Sequence, residues 1–227
     1  LSVGRVLAQA VTLGALRRGW VARGRTRAWQ RRRYPGLGWL PRRTFRPDAW
    51  RPRLENAAFA AAGARDQHWG ARQLARLRPA QIRAAVAAAY LPKQEAERLV
   101  ATLTLRRRRV LAQWLRARAP LSRVRLRGDG RRLCVTDLWR REGLPGPQNP
   151  RYESWLRRAP VFAPEATRIH RTAGSRLCFS LPPVAEARRR WGRYAVLSLR
   201  RPDVSPHGLR IHLRFSGAKT RLAGIER

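Results

Sequence analysis

Arginine side chains in short runs are the residues of this sequence whose type and spacing could do chemistry. Of the 227 residues, 51 are Lys or Arg and 13 are Asp or Glu, which gives a formal net charge of +38. Only Lys93 and Lys219 are lysines, so nearly all of this charge sits on guanidinium groups, which bind phosphate oxygens in a forked geometry and stack on bases. The predicted chemistry is the binding of a polyanion, because so positive a chain repels itself until counter-charges neutralise it.

The arginines form clusters that we predict to contact RNA phosphates. Some lie near the N-terminus, one is an unbroken run of four, and the last alternates with apolar residues as on one face of a β-strand. A face that is only solvated is the alternative interpretation of the unbroken run and of the alternating cluster. The predicted RNA-binding residues are Arg31, Arg32, Arg33, Arg42, Arg43, Arg106, Arg107, Arg108, Arg109, Arg123, Arg125, Arg127, Arg131 and Arg132.

Residues for catalysis or metal binding are sparse, and we predict no enzyme, no metal site and no cofactor. Glu95 and Glu97 are two positions apart, which directs them to different faces of a helix. His207 and His212 have no Cys or Asp partner at ligand spacing, and Asp66-Gln67-His68 is expected to be a polar cluster at a helix end. A basic nuclease that uses Asp129 or Asp137 with a metal ion is the enzyme alternative.

Cys134 and Cys178 are too few for a disulfide framework or a zinc site. Both lie in apolar, strand-like runs, so we expect two buried free thiols. The chain also has no run of eighteen apolar residues, and we therefore expect no transmembrane segment.

Residues 1–53 are predicted to form an extended basic arm. No acid precedes Asp48, and residues 3–16 are predicted to form a short apolar helix. An Arg-rich, acid-free N-terminus is typical of mitochondrial targeting peptides, so we expect a mature arm left after cleavage or a partly retained presequence. Residues 34–53 are broken by Pro and Gly, and they predict a strap with aromatic anchors that needs a partner surface.

The element predicted to organise the helical part is a long helix over 93–118. Apolar residues recur there at intervals of three and four, and the arginine run 106–109 lies in its middle. A shorter helix is predicted over 79–91, and Pro92 separates the two, so we expect a helical hairpin.

After Pro120 the spacing of apolar residues changes from helical to alternating. The pattern predicts a β-hairpin over 122–136 with its turn at 128–130, a short helix after Asp137, and a helix over 151–158. Strands are predicted at 175–181, 193–199 and 209–215, with a helix between the first two. In the last of these strands, the alternating residues expected inside are Leu209, Ile211, Leu213 and Phe215.

These patterns predict an α+β fold. It comprises an N-terminal extended basic arm, a helical hairpin, and then a small antiparallel β-rich module with short helices. The predicted boundaries are 1–53 for the arm, 54–119 for the helical region, 120–216 for the β-hairpin and α+β module, and 217–227 for a tail. No internal repeat is evident.

In its organisation the chain resembles mitochondrial, or more broadly organellar, ribosomal proteins as a class. The shared features are the presequence-like N-terminus, the basic strap over 1–53, the arginine clusters and the small α and β modules. The resemblance implies a structural component of an organellar ribosome in the mitochondrial matrix rather than the plastid. Its partners would be rRNA and neighbouring ribosomal proteins that cover the strap anchors, with no small-molecule substrate.

Two other kinds of protein are compatible with the same sequence. One is a free organellar nucleic-acid-binding or RNA-processing factor, whose RNA binding would weaken steeply with salt. The other is a membrane-surface protein that uses residues 3–16 as an interfacial helix. Positive charge along the whole chain, rather than on one amphipathic face, favours a nucleic-acid partner over a membrane surface.

Overall fold

The computed structural model describes residues 32–37, 40–49, 56–128, 130–158, 165–166, 169–171 and 174–227. The predicted helix over 3–16 lies outside these residues, as does Arg31. Within them, helices precede two antiparallel sheets, which confirms the α+β class. Contacts divide the chain into two compact units, and the predicted helical region is shared between them. The first contains Leu77–Arg107 and the described part of Leu1–Ala62, and the second contains Gly63–Arg76 and Arg108–Arg227.

The helices form where the sequence supplies caps and good helix formers. The Asn56 side chain accepts hydrogen bonds from the first turn of one short helix, and Pro79 occupies the start of another, where its missing N–H costs nothing. Residues 88–92 connect that helix to the longest one. The four helices are α1 (Ala57–Ala61), α2 (Ala64–Leu74), α3 (Pro79–Ala87) and α4 (Lys93–Trp114).

The first sheet, sheet A, contains the hairpin predicted after Pro120. Its turn uses glycines in left-handed conformations, with φ of 57° at Gly128 and 84° at Gly130, which residues with a Cβ adopt at a cost. Asp129, between them, lies outside the described residues. The strand order is β1-β2-β6-β5, with β1 at Leu121–Arg127, β2 at Arg132–Asp137, β5 at Ile169–Arg171 and β6 at Arg176–Ser180.

The second sheet, sheet B, is antiparallel and has the strand order β4-β3-β7-β8-β9. Short helices accompany the strands: α5 (Leu138–Arg141) follows β2, and α6 (Val184–Trp191) precedes β7. The strands are β3 (Glu153–Arg158), β4 (Glu165–Ala166), β7 (Tyr194–Arg200), β8 (Leu209–Ser216) and β9 (Lys219–Glu226).

Two local predictions are wrong. The helix predicted over 151–158 is strand β3, in which the buried Leu156 lies opposite Leu197 of β7. The tail predicted over 217–227 contains β9, which pairs with β8 across a tight turn at Gly217. In both cases pairing with a neighbouring strand overrides a weak local signal.

The second unit contains two hydrophobic clusters. The larger one joins the inner faces of both sheets with α6, and it includes the four alternating residues of β8 that were predicted to be inside. The smaller one packs α2 against the C-terminal end of α4 and against α5, around Leu111, Leu115 and Trp139. The outer face of sheet A therefore points away from the larger core.

A buried ion pair lies at the junction of β2 and α5. The Asp137 carboxylate caps α5 by accepting from the Arg140 amide at 3.1 Å, and it also accepts from Arg201 Nη1 at 2.6 Å and from the Tyr152 hydroxyl. Arg201 is 2% exposed and bonds Asp203 as well. The Asp137 carboxylate is thus buried and accepts hydrogen bonds from three protein donors.

Candidate nucleic-acid interface

Five arginines share the outer face of sheet A, and we call them the arginine face: Arg123, Arg125, Arg127, Arg132 and Arg176. All five are exposed. The strand alternation puts Leu133 and Val135 in the core, and it therefore turns Arg132 and the neighbouring outward positions to the other side. Arg125 lies opposite Cys134, and Arg127 lies opposite Arg132. Strand pairing thus gathers cations from three strands onto one surface.

A bulge in β1 lies at Arg123. The pairing register shifts between Ser122 and Arg125, and Arg123 has a φ of 52°, which is rare for a residue with a side chain. Such a conformation costs on the order of 1–3 kcal/mol and persists where the surrounding structure imposes it. The bulge interrupts the regular pairing between Ser122 and Arg125, and Arg123 nevertheless lines the same pocket as Arg125 and Arg127.

The arginine face surrounds an open pocket of about 90 Å³. The pocket is lined by Arg123, Arg125, Arg127 and Arg176 together with Cys134, Val135 and Thr136. Among the described lining residues, four are arginines and none is acidic. The pocket therefore carries positive charge that attracts anions, and guanidinium groups suit the oxygens of phosphate.

The expectation of two free thiols is wrong. Cys134 on β2 and Cys178 on β6 are directly opposite each other and form a disulfide. The bond crosses the two central strands of sheet A beside Arg125. Because it links strands that are 44 residues apart in sequence, it constrains the unfolded chain and holds the arginine face together.

The run of four arginines in α4 does not form a single cationic surface. At about 100° per residue, four consecutive side chains point in nearly all directions around a helix. Arg107 is only 8% exposed, and Arg106 donates from Nε and Nη2 to the Pro41 carbonyl oxygen at 3.1 and 2.9 Å. Arg108 is exposed and donates to the Gly143 carbonyl oxygen at 2.9 Å, while Arg109 is half-buried.

The described part of the strap is held by α4 of the same unit. The Arg98 guanidinium lies 4.4 Å from the ring centroid of Tyr34, and the Arg106 guanidinium lies 4.7 Å from that of Phe45. The Gly36 amide donates to the Glu95 carboxylate at 3.3 Å. Two predicted aromatic anchors therefore contact this chain's own helix, where a partner surface had been expected.

Charge and burial perturb the groups around the strap. A hydrogen bond to Arg33 lowers the pKa of the Tyr34 hydroxyl, with a further contribution from the charge of Arg98. Burial lowers the pKa of Arg106. The other strap and turn arginines of the predicted interface are exposed, and these are Arg32, Arg33, Arg42, Arg43 and Arg131.

Sequence reasoning missed Arg176, which lines the pocket beside the predicted residues. A usable signal was present, since Arg-Leu-Cys occurs at 132–134 and again at 176–178. If the two cysteines face each other in antiparallel strands, the two arginines lie on the same face at opposite ends of the pair. The observed register does this: Arg132 lies opposite Ser180, and Arg176 lies opposite Thr136.

The described ranges contain no group of three or more His, Cys, Asp or Glu side chains that could hold a metal ion. Nor do these residues include a helix of the length and apolarity needed to cross a membrane.

No protein-family model, curated protein or solved structure matches this chain.

Proposed function

We propose that this protein binds RNA through the arginine face and is a structural component of an organellar, specifically mitochondrial, ribosome. The observation that carries the RNA-binding part is the pocket on the outer side of a disulfide-linked sheet, whose described lining includes four arginines and no acidic residue. A sheet face that carries several guanidinium groups suits the phosphate backbone, which repeats its charges along the strand.

The ribosomal part of the proposal rests on the chain as a whole. Its formal net charge of +38 destabilises an isolated compact protein, and rRNA supplies phosphates in the quantity needed for neutralisation. Exposed arginines occur along the strap and in both sheets as well as on the arginine face. A component surrounded by RNA would use such widely distributed charge, whereas a factor with one small binding site would need only part of it.

RNA binding is tested by removing three charges from the arginine face. The triple variant Arg125→Gln/Arg127→Gln/Arg176→Gln is compared with Arg188→Gln/Arg189→Gln/Arg214→Gln, which removes three exposed charges from α6 and β8. The first should weaken binding to a single-stranded RNA at least tenfold. It should also reduce the slope of log RNA affinity against log salt concentration by about two to three, because that many phosphate contacts are lost. The second should change both much less. Equal losses in the two variants would contradict a defined interface.

Ribosome association is tested by sedimentation of an organellar extract. The protein should travel with a ribosomal particle and stay with it at moderate salt. Recovery only in particle-free fractions at low salt would contradict the ribosomal assignment and favour the free nucleic-acid-binding factor.

The disulfide constrains the proposed location, because disulfides persist mainly in oxidising compartments and are rare where thiols are kept reduced. Cys134 and Cys178 are buried, so we expect the bond to resist reduction inside the organelle, and this expectation is tested separately. Alkylation of free thiols in purified mitochondria, followed by mass measurement, should find the protein inside the organelle with Cys134 and Cys178 linked. Recovery of the protein only outside the organelle would contradict the proposed location.

A further inference from the structure

A second group of cationic side chains lies outside the clusters predicted from the sequence. It consists of His68 and Arg72 on α2, Arg118 just after α4, and Arg227 just after β9. Arg72 lies one helical turn after His68, and His68 Nδ1 lies 3.2 Å from the carbonyl oxygen of Trp114, four residues before Arg118. The charges of Arg72, Arg118 and Arg227 all act on His68. All four residues belong to the second compact unit. Three separate chain segments therefore bring cations to one place.

The group contains buried polar atoms that have no partner. His68 is 2% exposed, and its Nδ1 lies 3.2 Å from the Trp114 carbonyl oxygen, to which it can donate. Among the described residues, its Nε2 has no hydrogen-bond partner, and neither do the buried Nε atoms of Arg72, Arg118 and Arg227. The three arginine Nε–H groups are buried donors without an acceptor, which are costly and uncommon in folded proteins. Because Nδ1 faces the Trp114 carbonyl, Nε2 becomes a further donor when the imidazole is protonated. These unpartnered groups indicate that an acceptor belongs beside them.

Within the described part of the chain, no acidic side chain is among the groups that shift the pKa of His68, Arg72 or Arg227. The groups that act on these residues are other arginines and a backbone carbonyl. Burial and the charge of Arg72 lower the pKa of Arg227 to about 10. An anion with several oxygens would satisfy the unpartnered donors and remove the mutual repulsion of the cations.

An exposed tryptophan adjoins the group on the same helix. Trp69 is 61% exposed, although large aromatic side chains are usually covered. Viewed along the axis of α2, Arg72 lies about 40° from His68 and about 60° from Trp69. Arg72 therefore lies between the buried His68 and the exposed ring of Trp69. Exposed aromatic rings beside arginines stack bases.

We propose that His68, Arg72, Arg118 and Arg227 bind one phosphate group and that Trp69 stacks on the base of the same nucleotide. The ligand class is a nucleotide with a terminal phosphate, either free or at the 5′ end of an RNA. This site shares no residue with the arginine face, and it does not depend on the proposed ribosomal function.

The test is calorimetric titration of the full chain with inorganic phosphate, with AMP, and with a tetranucleotide RNA carrying or lacking a 5′ phosphate. We expect saturable 1:1 binding of AMP that is tighter than binding of inorganic phosphate. Arg72→Gln and Arg227→Gln should each weaken AMP at least tenfold. The matched control Arg65→Gln, an exposed arginine of the same helix, should change AMP binding less than twofold. Stronger binding of the phosphorylated tetranucleotide than of AMP would identify the RNA end as the source of the phosphate.

Trp69→Ala separates the two halves of the proposal. It should weaken AMP about tenfold and leave inorganic phosphate unchanged. Absence of saturable AMP binding, or full binding by a folded Arg72→Gln variant, would overturn the phosphate site. Unchanged AMP binding by Trp69→Ala would overturn the stacking role.

The arginine-face variant Arg125→Gln/Arg127→Gln/Arg176→Gln distinguishes this site from the proposed RNA interface. It should bind AMP like the unmodified chain while losing affinity for longer RNA. Circular dichroism and thermal unfolding of each variant confirm that the fold is retained. Loss of AMP binding in this folded variant would overturn the independence of the two sites.

Discussion

The arginine face of sheet A and the arginine run of α4 have similar numbers of guanidinium groups and different structural roles. In β1 the arginines recur at every second position, so strand geometry turns all of them to the outer side of the sheet. In α4 they are consecutive, so helix geometry sends them around the axis, where Arg106 holds the strap and Arg107 is buried. The spacing of arginines, more than their density, decides whether they form a surface for a ligand.

This difference has energetic consequences that can be measured separately. Arginines that bond the protein should contribute to the free energy of unfolding and little to RNA affinity. Arginines of the arginine face should do the reverse, because surface charges away from packed contacts change stability by less than about 0.5 kcal/mol. Substitutions at the two kinds of arginine should therefore change either the free energy of unfolding or the RNA affinity, and seldom both.

The largest loss of stability is expected at Arg201, an arginine that bonds the protein and is buried. Arg201→Ala leaves Asp137 as a buried carboxylate without its cation, and breaking such a pair costs about 3–5 kcal/mol. Urea unfolding followed by tryptophan fluorescence should show a correspondingly lower midpoint. Replacement of exposed Arg214 by Ala is the control, and a similar midpoint for the two variants would contradict the role of the buried pair.

The next effect is expected from the disulfide beneath the arginine face. Cys134→Ser/Cys178→Ser should lower the free energy of unfolding by about 2–4 kcal/mol, because the bond closes a long loop in the unfolded chain. Reduction of the unmodified protein with dithiothreitol should cause the same loss. If neither treatment moves the unfolding midpoint, the linked pair does not stabilise sheet A.

Acid should destabilise the protein through His68. Burial lowers the pKa of His68 to about 4 from an ordinary value of 6.5, so the unfolded chain binds a proton that the folded protein excludes. Stability from this residue is complete above pH 6.5 and is lost as the pH falls toward 4, with a total on the order of 3 kcal/mol. Arg72, Arg118 and Arg227 keep the folded-state value low by repelling the imidazolium.

The measurement for His68 is the free energy of unfolding in urea at pH 7.5 and pH 5. His68→Gln should lose less stability between these two values than the unmodified chain. Equal losses would assign the acid sensitivity to other groups. Proton NMR of the imidazole should show the pKa of His68 rising when AMP is added, because a bound phosphate favours the imidazolium.

A smaller effect is expected at Arg106. Arg106→Ala removes two hydrogen bonds to the Pro41 carbonyl and the contact with Phe45, which together contribute about 1–3 kcal/mol. Limited proteolysis should cut the strap within residues 40–49 faster in this variant, while RNA affinity changes less than for a single substitution in the arginine face. A loss of RNA affinity as large as that of Arg125→Ala would contradict the conclusion that Arg106 mainly holds the strap.

The smallest effect on stability is expected for Arg125→Ala and Arg127→Ala. Each should leave the unfolding midpoint within about 0.5 kcal/mol of the unmodified chain. Each should also lower the slope of log RNA affinity against log salt concentration by about one, because one phosphate contact is lost. A destabilised variant with an unchanged salt slope would show that these side chains serve the sheet and not a ligand.

Local patterns predicted the regular elements well where a single face is buried. In β8, alternation placed Leu209, Ile211, Leu213 and Phe215 inside, and all four are buried. The hairpin of β1 and β2 also follows from alternation and from its glycine turn. The arginines of β1 were predicted to share a face for the same reason. In a strand, side chains two positions apart lie on one face, and a shift of one residue would move all of them together to the other face.

Elements that depend on a distant strand were predicted poorly. Residues 151–158 carry a helix-like start, yet Leu156 lies opposite Leu197, which is 41 residues later in the sequence. The segment 217–227 has little apolar content, yet β9 completes the edge of sheet B beside β8. Local propensity is worth tenths of a kilocalorie per residue, whereas pairing and burial contribute more.

The sequence by itself determined the strong positive charge, the α+β class and the outward arginines of β1, because these depend on composition and on short-range periodicity. Only the tertiary structure decided which arginines are available to a ligand. It also decided that Cys134 and Cys178 meet, that Arg201 pairs with Asp137, and that His68 lies among three arginines. Apart from His68 and Arg72, which share α2, these contacts join residues from different elements far apart in the sequence, and they depend on how those elements pack and pair.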